Sequence, residues 1–374
     1  SPRSAMYDFV VVGAGPPGSR FARRAAEAGR DVVAFEKGTV GTPLACSGHV
    51  SDDVWEYVPD EARERLLQNR VYGARFHVGG PASRAHPVYK TEPVSNVIDR
   101  VGPDRTLADC AREAGADVRE NHTVVGVEER MDRVVVEVKT PAGDIEDVEA
   151  RMIAGCDGPT SRVRRSLDLP EPDELLHGVL AFDDAPDDGD LVDVDLTAPS
   201  FFAWRIPRGD AGVEYGLAAP PSDDVSAMFD RLTDAYGATT DRFCSGASPV
   251  GPPDRVTTDR AFLIGDAAAQ TKPFTGGGIL YGMTAADVAA ETIDPTDPAT
   301  LADYEAGWRD ALETEIRLGS AVRRCYSLPE PVQRAGLWAL SGEIGVHMDR
   351  PSSFFSPSHL KKLFSRTTPE DAPR

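Results

Sequence analysis

Nowhere in the chain is there an apolar run of roughly 18 residues, the length a helix needs to cross a bilayer. Residues 1–5 are a short polar lead and an apolar strand follows at once, so no secretory leader is expected. Both absences predict a cytoplasmic protein whose contact with a membrane is at most peripheral. Cysteine is scarce: Cys46, Cys110, Cys156, Cys244 and Cys325 are odd in number, scattered and never in a C-x-x-C pair. That pattern argues for a reducing compartment and against a disulfide framework or a thiolate metal site. The seven histidines show no ligand spacing on one helix face, so no metal is expected. Lysine is scarce as well, six among 40 basic residues, and no basic stripe or RNA-binding signature appears. Nucleic acid is therefore not an expected partner.

Acid is abundant instead. Asp and Glu number 61 and leave a formal charge of -21, with runs such as Asp183, Asp184, Asp187, Asp188 and Asp190. A solvated surface that keeps the protein soluble would explain this. So would a halophilic setting, the reading preferred here, because self-repulsion is screened over roughly 3 Å at about 1 M salt. With 374 residues and 41% hydrophobic content, the chain can build two interlocked globular regions around a large cofactor.

Residues 9–12 form an apolar run, followed by Gly13-Ala14-Gly15-Pro16-Pro17-Gly18, a helix-compatible segment to Ala28, a stop at Gly29, a second apolar run over 32–35, and Glu36. This is a βαβ opening with G-x-G-x-x-G in the context that motif requires. Gly13 permits the tight turn, Gly15 lets the backbone approach a pyrophosphate, and Gly18 lets the helix pack closely on the strand. The helix N-terminus offers unpaired N–H groups and partial positive charge to phosphates. Glu36, 23 positions after Gly13, is placed to accept hydrogen bonds from a ribose. Gly13, Gly15, Pro17, Gly18, Glu36 and Lys37 are the cofactor candidates here, and by themselves they do not separate FAD from NAD.

Further segments narrow the choice. Residues 151–167 run from a strand into Asp157-Gly158, with Ser161 and Arg164 beyond. Residues 261–291 carry an apolar run, Gly265-Asp266-Ala267-Ala268, Pro273, Gly276-Gly277-Gly278-Ile279 and a helix to Glu291. Cys46, Gly48 and His49 lie in a loop over 41–51, soon after Glu36. Phe202-Ala203-Trp204-Arg205-Ile206-Pro207 is followed after eight residues by Gly216-Leu217-Ala218. In this order, over roughly residues 6–320, these segments resemble the geranylgeranyl reductase family within the flavoprotein hydroxylase-like superfamily.

The resemblance implies FAD. It also implies an α/β fold: a Rossmann-like FAD-binding domain, an inserted β-sheet substrate domain, and a helical C-terminal region beginning near Tyr304. The expected division is 1–75, 95–165 and 255–300 for FAD, 76–94 and 166–254 for substrate, and 301–374 for the helical region, which alone could be separable. Beyond Thr367 the tail is polar. By the resemblance, Asp157 and Gly158 match the family's second motif, and Asp266 matches the aspartate that binds the ribityl chain in the family. The Gly277-Gly278-Ile279 helix start matches the one that in the family faces the flavin pyrimidine ring, where a helix N-terminus suits an electron-rich group. Arg100 matches a flavin-side arginine, with a surface salt bridge as the alternative. Val124 matches a position whose backbone meets the adenine end.

Cys46 and Gly48 fit the family's cysteine loop over the flavin, although a lone cysteine can equally be a small buried residue. Phe202, Trp204 and Ile206 fit the substrate strand, where period-2 spacing alone also puts them on one face. Phe202 replaces a tyrosine, Ile206 a phenylalanine and Ala218 a second glycine of the family pattern. Ile206 matches the Trp-x-Trp-x-Ile-Pro of flavin-dependent halogenases better, but Lys90 is the only lysine offered for that chemistry and it is isolated. The implied activity is reduction of carbon–carbon double bonds in isoprenoid lipid chains, with Cys46 and Trp204 as catalytic candidates and NAD(P)H or reduced ferredoxin as electron donor. An FAD monooxygenase or halogenase acting on a small aromatic compound, and a flavin-binding module without turnover, are the competing readings.

Overall fold

A computed structural model describes residues 6–42, 46–343 and 349–355. The polar lead, residues 43–45 of the cysteine loop and the polar tail lie outside the described residues. Two sheets dominate. In the first, of seven strands, Asp117–Arg119, Val32–Phe35, Tyr7–Val12 and Ile145–Gly155 lie side by side in parallel, and Ala261–Leu263 adds to the last of them. Val134–Lys139 and Thr123–Glu129 extend it as an antiparallel pair. Strands covered on both faces read as continuous apolar runs, and residues 9–12 are buried without alternation. The helix Pro16–Glu27 packs on this sheet through Phe21, Ala22 and Ala25. Phe21 sits edge-on to Phe9 at 5.1 Å and to Phe262 at 5.2 Å, which locks the first strand, the first helix and the late strand together.

The second sheet has eight strands in the order Asp241–Val250, Glu174–Asp183, Val213–Ala219, Ala203–Pro207, Leu191–Asp195, Gly73–His77, Ala85–Tyr89 and Gly342–Glu343. The helix Val225–Tyr236 covers one face through Val225, Phe229 and Leu232. Along Ala203–Pro207 the pleat sends Ala203 into that layer and Arg205 toward Tyr215 and Tyr236, which turns Trp204 and Ile206 to the opposite face. A small third sheet of His49–Val50, Ser95–Ile98 and Leu67–Val71 packs through Val50 and Ile98 on Leu280 and Met283.

One boundary and the separability of the C-terminal region differ from expectation. Gly73–His77 pairs in parallel with Leu191–Asp195, so the eight-stranded sheet begins before residue 76 and the line drawn at 75 cuts a strand. The C-terminal region is not separable: the helix Leu301–Arg324 buries Tyr304 and Trp308 in the core of the first sheet, and Gly342–Glu343 is an edge strand of the second.

Candidate functional site

A cavity of about 1370 Å³ runs from the glycine fingerprint, past the N-terminus of the helix Ile279–Thr292, to the inner face of the eight-stranded sheet. Ordinary ligand pockets span roughly 300–1,000 Å³, so this one has room for a large cofactor and a second molecule. Every candidate cofactor and substrate residue named for the reductase reading lines it except Gly18 and Gly48. Those two act by allowing close contact. A Cβ on Gly18 would stand 2.0 Å from the Gly13 carbonyl oxygen. Gly48 has φ +68, and a Cβ there would meet the Ile98 carbonyl oxygen at 2.4 Å and Arg100 Cγ at 2.7 Å.

At the fingerprint, Gly13 has φ +95 and lies so close to Cys156 that a side chain would meet its carbonyl oxygen at 2.4 Å. A Cβ on Gly15 meets nothing within 4 Å, which leaves the backbone before the first helix open to the cavity. The Glu36 carboxylate accepts from the Ala14 N–H at 2.9 Å and so braces the glycine turn as well as facing the cavity. Asp157 works inside the fold. Its carboxylate accepts from Ser161 Oγ at 2.6 Å and from the Arg162 and Val163 N–H groups at 2.6 and 3.2 Å. From the same turn the buried Arg164 donates to the Ala267 carbonyl at 2.9 Å and to the Pro159 carbonyl at 2.7 Å, fastening the second motif to the third.

Asp266 is different: among the described residues no donor reaches its carboxylate, and burial pushes it up to about 6. Its turn is held rigidly, since the Gly265 N–H donates to Gln270 Oε1 at 2.7 Å, Gln270 Nε2 to Tyr304 Oη at 3.1 Å, and the Tyr304 hydroxyl to the Leu263 carbonyl at 2.7 Å. The neighbouring helix starts at Gly278 with no side-chain cap, so its first N–H groups keep their hydrogen-bonding capacity beside the cavity. An open backbone cradle at one helix start, a half-buried carboxylate that no donor among the described residues reaches and a second uncapped helix start fit a dinucleotide.

The other end of the cavity is built around Cys46. Arg100, buried rather than on the surface, donates to Asp104 at 2.7 Å and lies within hydrogen-bonding range of the Cys46 thiol. Burial opposes the Arg100 charge, but Asp104 and Cys46 outweigh it and raise the guanidinium above its ordinary value. Arg208 donates to the Ser47 carbonyl at 2.5 Å, to the Ile98 carbonyl at 2.9 Å and to Glu214 at 2.8 Å. Glu214 also accepts from the Trp204 indole N–H at 2.8 Å. One buried ion pair therefore connects Trp204 to the cysteine loop. Burial pushes the Glu214 carboxyl up and the Arg208 guanidinium down. Gly216 lies against the indole, where a Cβ would be 2.3 Å from the ring. Phe202 stacks on Phe201 at 4.5 Å and meets Tyr326 edge-on at 5.9 Å. His49 contacts Ser95 Oγ at 2.7 Å, and burial with Lys272 close by pushes it down to about 4, so it is neutral at pH 7.

Sequence reasoning missed Glu214, Arg208 and Lys272. A single acid in the apolar strand Val213–Ala219 was a signal for the first, while the other two carried none. Lys90 does not line the cavity, whereas Lys272 does.

Residues 6–187 match the FAD binding domain family. The chain is 31% identical over 345 residues to digeranylgeranylglycerophospholipid reductase 2 of Methanothermobacter thermautotrophicus, covering 85% of this chain and 87% of that protein. It is 29% identical over 328 residues to the digeranylgeranylglycerophospholipid reductase of Thermoplasma acidophilum, covering 80% and 82%. Among solved structures, a geranylgeranyl bacteriochlorophyll reductase-like protein of Thermoplasma acidophilum superposes with a TM-score of 0.82 at 24% identity over 98% of this chain and 97% of that one. A p-nitrophenol 4-monooxygenase of Pseudomonas putida superposes with a TM-score of 0.72 at 19% identity over 97% and 99%, which is likeness of fold alone. Identity of this degree along nearly the whole chain, with the motifs in one cavity, makes it a member of the digeranylgeranylglycerophospholipid reductase family of FAD-dependent oxidoreductases.

Proposed function

We propose that this protein saturates carbon–carbon double bonds in the geranylgeranyl chains of archaeal membrane lipids. The observation that carries the reading is the shape of the cavity. Past the cofactor segments it continues as an apolar space lined by Phe202, Ile206, Tyr326, Leu337 and Leu340, and it reaches Leu328 and Val332, which are exposed at its rim. A long hydrocarbon chain fits such a space, with its reacting segment beside Trp204 and Cys46. In this reading Gly13, Gly15 and Pro17 hold the pyrophosphate, Glu36 and Lys37 the ribose, Val124 the adenine end, Asp266 the ribityl chain, and Gly277, Gly278 and Ile279 the pyrimidine ring.

Reduced FAD, when bound, supplies the two electrons that saturation of one double bond needs. An isolated trisubstituted alkene is not polarised, so a proton must reach one carbon before or as the electrons reach the other. Cys46, beside Arg100 and within reach of the Arg208 charge, marks the side from which that proton comes. The faces of Trp204 and Phe202 stabilise the developing tertiary cation by about 0.5–2 kcal/mol, a minor share of the ~8 kcal/mol or more by which enzymes lower barriers. Orientation by the apolar walls supplies the larger part.

The test is incubation with a geranylgeranyl lipid and either NAD(P)H or reduced ferredoxin, with and without air, followed by mass analysis. The reading predicts two hydrogens gained per double bond in the absence of air, with no requirement for oxygen. Ile206 favours a second reading, a monooxygenase or halogenase acting on a small aromatic compound. An unchanged lipid, with oxygen consumption stimulated by aromatic compounds, would replace the first reading by the second.

A further inference from the structure

Lys272, which lines the cavity, belongs to an ion pair to which the reductase reading gives no role. Lys272 and Asp349 form a salt bridge with side chains only 6% exposed each. Lys272 lies on the turn that leads into the glycine-started helix. Asp349 comes from the C-terminal region, where its backbone carbonyl accepts from the Tyr281 hydroxyl at 2.8 Å. Burying an ammonium and a carboxylate together is costly, and such a pair is poor support for stability alone. The turn does not need the side chain either. The Lys272 backbone already holds it, donating to the Gly277 carbonyl at 3.0 Å and accepting from the Gly276 N–H at 2.8 Å.

What the side chain does touch is the helix start. A Cβ on Gly277 would stand 2.8 Å from Lys272 Cε and 3.1 Å from Nζ, so the ammonium lies against the backbone assigned to the cofactor's pyrimidine ring. It also lies near enough to His49 to help keep that ring neutral, so His49 adds no competing charge at pH 7. FAD that accepts two electrons and one proton gains one negative charge. A cation fixed beside the ring in a low-dielectric cavity favours that reduced form over the oxidised one, and a carboxylate on the same cation weakens the effect.

We propose that Lys272 is a charge-tuning residue that raises the reduction potential of the bound cofactor, and that Asp349 sets how much of the ammonium's field the ring feels. The C-terminal region would thereby act on the redox chemistry of a site whose cofactor contacts all lie before residue 280. The inference rests on FAD as the cofactor and not on the lipid substrate.

The experiment is a dye-referenced reductive titration of the FAD-loaded protein without lipid, comparing wild type with Lys272→Gln, Lys272→Arg and Asp349→Asn. Lys272→Gln should lower the ratio of reduced to oxidised cofactor at a given potential at least tenfold, a fall of about 30 mV for this two-electron couple. Asp349→Asn should raise it, and Lys272→Arg should stay near wild type. Potentials that do not move, or that move in the same direction for Lys272→Gln and Asp349→Asn, would make the pair a structural clasp and overturn the proposal. If Lys272→Gln fails to hold FAD, Asp349→Asn decides alone: a raised potential upholds the proposal and an unchanged or lowered one overturns it. Because no lipid is present, these outcomes are independent of whether the protein saturates isoprenoid chains.

Discussion

Trp204 owes its position to two residues that never face a ligand. Glu214 holds its indole N–H, and Gly216 leaves room for its ring. Glu214 in turn neutralises Arg208, whose other contacts are the Ser47 and Ile98 carbonyls. Glu214→Ala removes one member of a fully buried pair and leaves an uncompensated guanidinium, a change that costs about 3–5 kcal/mol. Chemical denaturation of the variant should show a loss of this size, and Glu214→Gln, which keeps an acceptor for the indole, should lose less. A loss below about 1 kcal/mol for Glu214→Ala would mean that water or another group compensates Arg208 and that the link between strand and cysteine loop is weak. Nothing in the spacing of the sequence announced this pair. Trp204 and Glu214 stand on adjacent strands of a hairpin, and only the register, with Ile206 opposite Glu214, brings the carboxylate under the indole.

At the scale of elements, the parts of the site that were legible are those in which backbone geometry demands a residue type at a fixed offset. Gly13, Gly15 and Gly18 are such a set, because strand, turn and helix approach one another too closely for side chains. Gly18→Ala should push the first helix off Gly13, where a Cβ would lie 2.0 Å from the carbonyl oxygen. The expected outcome is protein that no longer retains FAD through purification, measured by flavin absorbance. Retention equal to wild type would show that the helix can shift without disturbing the cradle. The third motif was legible only through its resemblance to the family; the structure adds that Gly278 opens a helix with no side-chain cap among the described residues. The pairings that escaped are long-range. Gly73–His77 joins the second sheet through Leu191–Asp195, more than a hundred residues away, and Lys272 meets Asp349 across 77 positions. Periodicity reports which face of an element is apolar, not which distant element will cover it.

Across the whole molecule, one cavity joins the dinucleotide cradle of the first sheet to the apolar inner face of the second. The C-terminal region closes it: Tyr326 donates to the Phe274 carbonyl at 2.7 Å, and Leu337 and Leu340 line the far end. The fold, the cofactor and one wall of the apolar end, Phe202 to Ile206, could be anticipated from motifs, while its far walls, Tyr326, Leu337 and Leu340, come from a segment without a signature. The continuity of the cavity makes the central claim testable in a single turnover. The FAD-loaded protein is reduced with dithionite in the absence of oxygen, the excess is removed, and a geranylgeranyl lipid is added while flavin absorbance and lipid mass are followed together. The account predicts that oxidised flavin returns without oxygen, with one double bond saturated for each flavin reoxidised. A flavin that stays reduced until air is admitted, beside an unchanged lipid, would contradict it.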